Sequence, residues 1–136
     1  MSEAAKSIVS EWLEEFDLPD LVEREAAHPP MAGLRDILAI VGPRRAGKTF
    51  YFFQLIRELM ASGVKKEDIL FVDFEDYRLP DLGRDPVDAL LTAHHQLVGR
   101  APQFLFFDEV QQLPGWSRVM HRFISRSLVA VKTSSL

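Results

Sequence analysis

The chain contains no cysteine, and this absence excludes disulfide bonds and thiolate metal sites. No apolar run reaches the ~18 residues that a membrane-spanning helix needs. The amino terminus also lacks the basic and then apolar pattern of a signal peptide. We therefore expect no membrane span and take the cytoplasm as the default location, although a cysteine-free chain tolerates either redox state.

The sequence also lacks a strong excess of basic residues, since its formal charge is −4. Residues 1–30 hold eight acidic and two basic residues, a net charge of −6, which leaves +2 for the rest of the chain. That mild excess suits a polyphosphate ligand but falls short of the basic stripe of a dedicated nucleic-acid binder. Nucleic acid stays an unsupported partner. With 136 residues and 47% hydrophobic content, the chain is expected to form one sizeable core.

A phosphate-loop pattern, G-x-x-x-x-G-K-[ST], lies between the apolar run Ile37–Ile40 and an apolar helical pattern. The backbone N–H groups of such a loop and the following helix N-terminus converge on one point, where they bind phosphate. Lys48 is expected to reach the β and γ phosphates as a catalytic cation, and Thr49 to offer its hydroxyl to Mg²⁺. The predicted nucleotide-binding residues are Gly42, Pro43, Arg44, Arg45, Ala46, Gly47, Lys48, Thr49 and Phe50.

Strand and helix patterns alternate after this loop. The expected elements are a strand over 37–41, a helix over 48–62, a strand over 69–74, a helix over 87–98 and a strand over 104–107. Gly63 and Gly99 are placed to end the two helices, and Asp85 to begin the second. This alternation predicts an α/β fold with a parallel sheet and helices on both faces.

The run Phe104–Phe107 brings two acids, Asp108 and Glu109, to the carboxyl end of a predicted buried strand. Ligands collect at this edge of an open parallel sheet, so Asp108 is expected to approach the Mg²⁺ held by Thr49. Glu109 points elsewhere and is expected to orient or deprotonate the attacking water. Gln111 either hydrogen-bonds the γ-phosphate or the water, or faces solvent.

Other residues with chemical potential have ordinary explanations. The aromatic residues of the helix over 48–62 are expected in the core, although Tyr51 or Phe52 could stack on a base. His94 and His95 point ~100° apart on a helix and cannot share one metal, so both are expected to be packing or surface residues. Three arginines four residues apart are expected on one solvated helix face, without an arginine finger: Arg118, Arg122 and Arg126.

The first thirty residues are predicted to be a helical lead-in to a core over residues 31–136. Apolar residues recur at helical spacing from Ile8 to Phe16, and a second short helix is expected from Pro19 to Glu25. The acidic face of this segment is either a solvated helix surface or a docking surface.

Three motifs, GPRRAGKT, VDFEDYRL and FLFFDEVQQLPGW, together resemble the archaeal and bacterial AAA-type ATPases of the additional-strand, catalytic-glutamate class. The resemblance covers roughly residues 35–133. It implies a three-layer α/β/α P-loop NTPase fold with sheet order 5-1-4-3-2, ATP hydrolysis with Mg²⁺, and Glu109 as the catalytic glutamate. The segment Leu128–Lys132 would be strand four, with Thr133, Ser134 or Ser135 at the sensor position.

Members of that family continue into a fifth strand and a helical lid, whereas this chain ends at Leu136. The expectation is an ATPase core that is incomplete at its C-terminus, is impaired in turnover, and associates with itself or a partner protein through the edge of strand one. Two alternatives stay open. One is a nucleotide-dependent regulator with negligible turnover, and the other a small-molecule kinase in which Asp73, Glu75 or Asp76 contacts the acceptor hydroxyl.

Overall fold

Four strands form one parallel sheet in the order β1-β4-β3-β2. The computed structural model describes residues 3–16, 37–41, 48–122 and 128–133. The strands are β1 (Ile37–Val41), β2 (Ile69–Asp73), β3 (Phe104–Asp108) and β4 (Leu128–Thr133). This arrangement confirms the expected sheet, including the insertion of the last strand between the first and the third.

Helices connect the strands in alternation, as the sequence predicted. The connecting helices are α2 (Lys48–Ala61), α3 (Pro86–Val98) and α4 (Trp116–His121), and α1 (Glu3–Ser10) precedes β1. Helix α2 connects β1 to β2, from one side of the sheet to the other. Helices α3 and α4 connect β2 to β3 and β3 to β4, and these two connections run in the opposite direction. Because such crossovers are right-handed, α2 lies on one face of the sheet, and α3 and α4 lie on the opposite face.

The predicted helix ends are confirmed in α3. The Asp85 side chain accepts a hydrogen bond from the backbone N–H of Asp88 at 3.0 Å, which satisfies one free donor of the first turn. At the other end, Gly99 has a φ of 93°, and its N–H donates to the carbonyl of His95 at 2.8 Å. Glycine takes this left-handed conformation without the steric cost that a Cβ would bring.

The core occupies both faces of the sheet, and α2 covers one of them. Phe52, Leu55 and Ile56 are fully buried, and the ring of Phe52 meets that of Phe106 edge-on, with centroids 5.4 Å apart. Phe52 therefore packs in the core and does not present its ring to a base. On the opposite face, Phe107 makes a similar contact with Phe74 at 5.3 Å.

The N-terminal segment, residues 3–16, wraps around the β2 edge of the sheet. Helix α1 packs against α3 on one face, and a π-helical turn, Glu11–Glu15, then carries the chain to the other. There the Trp12 ring lies 5.9 Å from that of Phe71, and its Nε1 donates to the carbonyl of Ile69 at 2.7 Å. The helical prediction is thus confirmed for residues 3–15, while the helix expected from residue 19 and the division at residue 30 lie outside the described residues.

Candidate functional site

Two acidic residues close strand β3 at the carboxyl edge of the sheet. Asp108 and Glu109 are 5% and 4% exposed, which is unusual for carboxylates. Side chains alternate along a strand, so Asp108 lies on the same face as Phe106, which packs against α2. The Asp108 carboxylate therefore faces the layer that contains the phosphate-loop helix.

Helix α2 begins at Lys48, and Thr49 is its second residue. The helix follows β1, and only β4 separates β1 from β3, so the start of α2 and Asp108 lie at the same edge of the sheet. A helix N-terminus carries partial positive charge and free N–H groups that favour an anion. The structure thus brings the start of α2 and the acidic pair to one edge, while loop residues 42–47 lie outside the described residues and their roles stay predictions.

Glu109 has an unusual backbone. Its φ of 54° and ψ of 45° are left-handed, and it is the one non-glycine residue with a positive φ in the described part of the chain. Its side chain accepts a hydrogen bond from Gln111 Nε2 at 2.5 Å, so Gln111 is held beside the acid and is not simply solvated. Strained conformations of this kind cost about 1–3 kcal/mol and cluster at functional sites.

Asp73 lies next to Asp108, a proximity that the sequence analysis did not predict. Strands β2 and β3 pair with Asp73 opposite Asp108, and the Phe74 N–H donates to the Asp108 carbonyl at 2.9 Å. Desolvation and then the negative charges of Asp108, Glu75 and Asp76 raise the pKa of Asp73, although a hydrogen bond from the Glu75 N–H opposes them. The sequence offered one signal for this proximity, because the apolar runs Ile69–Val72 and Phe104–Phe107 have the same length and each is followed by an aspartate.

Arg78 is a second residue that sequence reasoning missed. Its Nε and Nη2 donate to the two carboxylate oxygens of Asp76 at 3.0 and 2.7 Å, and its Nη1 donates to Glu11. The hydrogen bonds from Arg78 lower the pKa of Asp76. The hydrogen bonds to Asp76 and Glu11 in turn raise the pKa of the Arg78 guanidinium. A cavity of about 470 Å³ lies beside these groups, and its lining includes Trp12, Phe53, Asp73, Asp76, Arg78 and Asp108.

The remaining candidates behave as ordinary structural residues. His94 is fully buried, with Nδ1 3.1 Å from the Arg100 carbonyl, and burial lowers its pKa; His95 is exposed. Arg122 forms an ion pair with Asp85 at 3.1 Å. Within residues 3–16, 37–41, 48–122 and 128–133, no group of three or more His, Cys, Asp or Glu side chains is placed to hold a metal.

The expected sensor position is only partly described. Thr133 ends β4, opposite Val41 of β1, at the same edge of the sheet as the acidic pair. Ser134, Ser135 and Arg126 lie outside the described residues, so the choice among the three sensor candidates stays a prediction.

Residues 34–136 match the sequence model of the family described as AAA domain. The chain belongs to this AAA-domain family. The AAA domain accounts for the parallel sheet and the phosphate-loop pattern together, and it gives the chain a nucleotide-binding, ATPase-like function. In the described part of this AAA domain, no helix is long and apolar enough to span a bilayer.

One curated relative is an uncharacterized protein of Methanocaldococcus jannaschii. The two are 34% identical over 86 residues, which are 63% of this chain and 18% of the relative. The chain therefore spans less than a fifth of the length of the relative that it matches. No solved structure matches the AAA domain significantly.

Proposed function

We propose that this AAA domain binds ATP with Mg²⁺ and hydrolyses it, as the ATPase module of a larger assembly. The observation that carries the proposal is the buried pair Asp108 and Glu109 at the end of β3, on the edge where α2 begins. Burying two adjacent carboxylates is costly unless cations or hydrogen-bond donors compensate. A nucleotide bound with Mg²⁺ supplies the cation at that edge.

The residue types fit that ligand. Residues 42–50 would hold the phosphates through backbone N–H groups, with Lys48 as the cation on the β and γ phosphates. Thr49 and Asp108 would be the protein ligands of Mg²⁺, which prefers oxygen ligands and usually combines one or two carboxylates with phosphates and water. When bound, Mg²⁺ neutralises charge on the phosphates.

Glu109 would receive the proton of the attacking water. Its carboxylate is buried, and the hydrogen bond from Gln111 Nε2 at 2.5 Å restricts its rotation. A general base must be held within hydrogen-bonding reach of the proton it accepts. Glu109 follows Asp108 directly at the end of a strand, where successive side chains are expected to point in different directions, and this would separate the base from the metal ligand.

The first test is of binding. Lys48→Ala removes a charge-assisted contact worth about 1.5–3 kcal/mol, so the affinity for MgATP should fall about ten- to a hundredfold in calorimetric titration. Lys65→Ala is the matched control, because exposed Lys65 lies before the amino end of β2, at the opposite edge of the sheet. Equal affinities of the two variants would contradict the phosphate-loop assignment.

The second test separates the metal ligand from the base. Asp108→Asn should raise the Mg²⁺ concentration needed for ATP binding, whereas Glu109→Gln should keep MgATP affinity and lose phosphate release. Glu67→Gln, at the exposed amino edge of the sheet, is the control for charge loss. Unchanged turnover in Glu109→Gln would show that another group activates the water. A wild-type chain that binds MgATP without multiple turnover would favour the alternative of a nucleotide-dependent regulator.

A kinase is the second candidate, because the cavity of about 470 Å³ next to Asp108 is large enough for a small acceptor. In that case Asp73 or Asp76, which line the cavity, would contact the acceptor hydroxyl. Inorganic phosphate released in the absence of any acceptor, at a rate that Asp73→Asn leaves unchanged, would favour the ATPase.

Self-association is proposed to use the free side of β1. In the described part of the sheet, β1 is hydrogen-bonded to β4 and has no strand on its other side. Such an edge offers unpaired N–H and C=O groups to another chain. Light scattering should show a mass that rises with protein concentration, and a constant monomer mass would contradict the proposal.

A further inference from the structure

Arg78 connects two parts of the molecule that are distant in sequence. Its guanidinium donates to Glu11 in the N-terminal segment and to both carboxylate oxygens of Asp76 in the turn after β2. Its backbone N–H also donates to Asp76 Oδ1 at 2.9 Å. The planar guanidinium thus holds the turn in one conformation and ties that turn to the segment that wraps the sheet edge.

The turn is itself bonded to the end of β3. The Asp76 N–H donates to the Asp73 carbonyl at 3.1 Å, and the Phe74 N–H donates to the Asp108 carbonyl at 2.9 Å. Two consecutive backbone hydrogen bonds therefore connect the Arg78 partner Asp76 to Asp108. A displacement of the turn would therefore be expected to shift the backbone that carries the acidic pair.

We propose that Arg78 is a positioning residue of the nucleotide site, which holds the turn after β2 against the N-terminal segment and thereby keeps Asp108 in place for Mg²⁺. The inference rests on the proposed function and assigns to that site a residue from outside the phosphate loop and the acidic pair. It also couples the N-terminal segment to nucleotide binding.

The charge balance around Arg78 explains why the turn needs it. Five carboxylates line the cavity: Glu11, Glu15, Asp73, Asp76 and Asp108. Arg78 is the one cationic residue among the described residues that line it. Without the guanidinium, Asp76 and Glu11 would face each other as like charges, and the turn would move away from the N-terminal segment.

Other contacts keep the N-terminal segment attached when Arg78 is removed. Trp12 Nε1 donates to the Ile69 carbonyl at 2.7 Å, and Lys66 Nζ donates to the Phe16 carbonyl at 2.5 Å, both near the amino end of β2. The fold should therefore be retained in an Arg78 variant, while the N-terminal segment is held less firmly because it loses one of its attachments.

The experiment compares Arg78→Met and Arg78→Lys with Arg100→Met in the full chain. Arg100 pairs with Asp68 at 2.7 Å near the amino end of β2, so it is a matched ion pair at the edge away from the site. Arg78→Met should raise the Mg²⁺ concentration for half-maximal ATP binding about three- to thirtyfold. Arg78→Lys should recover part of that loss, because it restores the charge without the bidentate geometry, and Arg100→Met should bind as the wild type.

A second measurement reports on the N-terminal segment directly. In a Trp116→Phe background, Trp12 is the remaining tryptophan, and acrylamide quenching measures its exposure. Linkage is reciprocal, so MgATP should protect Trp12 from quenching in this background and should not do so when Arg78→Met is added. Equal protection with and without Arg78 would refute the coupling.

The outcomes separate the two proposals. If the wild-type chain binds no MgATP, the proposed function fails and the positioning role fails with it. If it binds and Arg78→Met matches Arg100→Met, only the positioning role is refuted. If Arg78→Met does not fold, as shown by its circular dichroism, Glu11→Ala replaces it, since this change removes one partner of Arg78 and leaves the pair with Asp76. A wild-type Mg²⁺ requirement in Glu11→Ala then refutes the inference.

Discussion

Replacing Trp12 by phenylalanine tests how the N-terminal segment is held to the sheet. Trp12 is 3% exposed, and its Nε1 donates to the Ile69 carbonyl at 2.7 Å. Phenylalanine keeps most of the ring contacts with Phe16 and Phe71 but cannot donate this bond. The Ile69 carbonyl would then be buried at the sheet edge without its indole donor, at a cost of about 1–3 kcal/mol.

A second term comes from the cation above the ring. Lys66 Nζ lies 5.0 Å from the Trp12 ring centroid, and a cation–π contact of this kind contributes about 0.5–1 kcal/mol. Phenylalanine interacts more weakly with the cation, so part of this contribution is lost. The total destabilisation expected for Trp12→Phe is about 1–3.5 kcal/mol. At roughly 2.1 cal/mol/K per residue, a chain of this length loses about 3–4 °C in Tm per kcal/mol, so Tm should fall by about 4–12 °C.

Urea unfolding followed by circular dichroism measures the change, because each variant loses one of the two fluorescent tryptophans and fluorescence would not report on both variants alike. Trp116→Phe is the control, since Trp116 is half-buried and the same atoms are deleted there. We expect less than about 1 kcal/mol for the control. Equal losses of stability in the two variants would show that the indole hydrogen bond to Ile69 does not anchor the segment.

Three further changes test other parts of the fold. Burial lowers the pKa of His94 below its unfolded value of 6.5, so the stability that neutral His94 contributes should be complete above that pH and decline as the pH falls through about 6.5. In urea titrations at several pH values, His94→Leu should flatten this dependence of stability on pH. The control His95→Gln should leave it unchanged. Gly99→Ala places a Cβ at a φ of 93° and should cost about 1–2 kcal/mol by thermal unfolding, and an unchanged Tm would show that the helix end relaxes. Asp85→Ala should cost about 1 kcal/mol of stability through the lost helix cap. Asp85→Asn should keep the cap and lose only the ion pair with Arg122. Equal losses of stability in the two variants would assign the effect to the ion pair.

Local patterns in the sequence predicted the elements of the fold well. Strand β1 has the predicted bounds, and α3 begins at Pro86 and ends before Gly99 as its capping residues indicated. These features depend on neighbours within a few residues, which a sequence displays directly. The insertion of β4 between β1 and β3 depends on long-range pairing, and only the family resemblance predicted it.

Contacts between distant residues could not be read from the sequence. Trp12 and Ile69 are 57 positions apart, and Arg78 and Glu11 are 67 apart, so no periodicity relates them. The position of Asp73 beside Asp108 likewise depends on strand register, which the two runs permit without specifying it. Apolar character alone also does not specify burial, because Met60 of the largely apolar helix α2 is 38% exposed.

The left-handed backbone of Glu109 bears on how this protein would evolve in the laboratory. At a φ of 54°, glycine or asparagine would relieve steric strain, and either would remove a buried carboxylate. A library selected only for heat resistance should therefore discard glutamate at this position, whereas one selected for phosphate release should retain it. If the two libraries differ at position 109, that residue carries a trade-off between stability and activity in this chain.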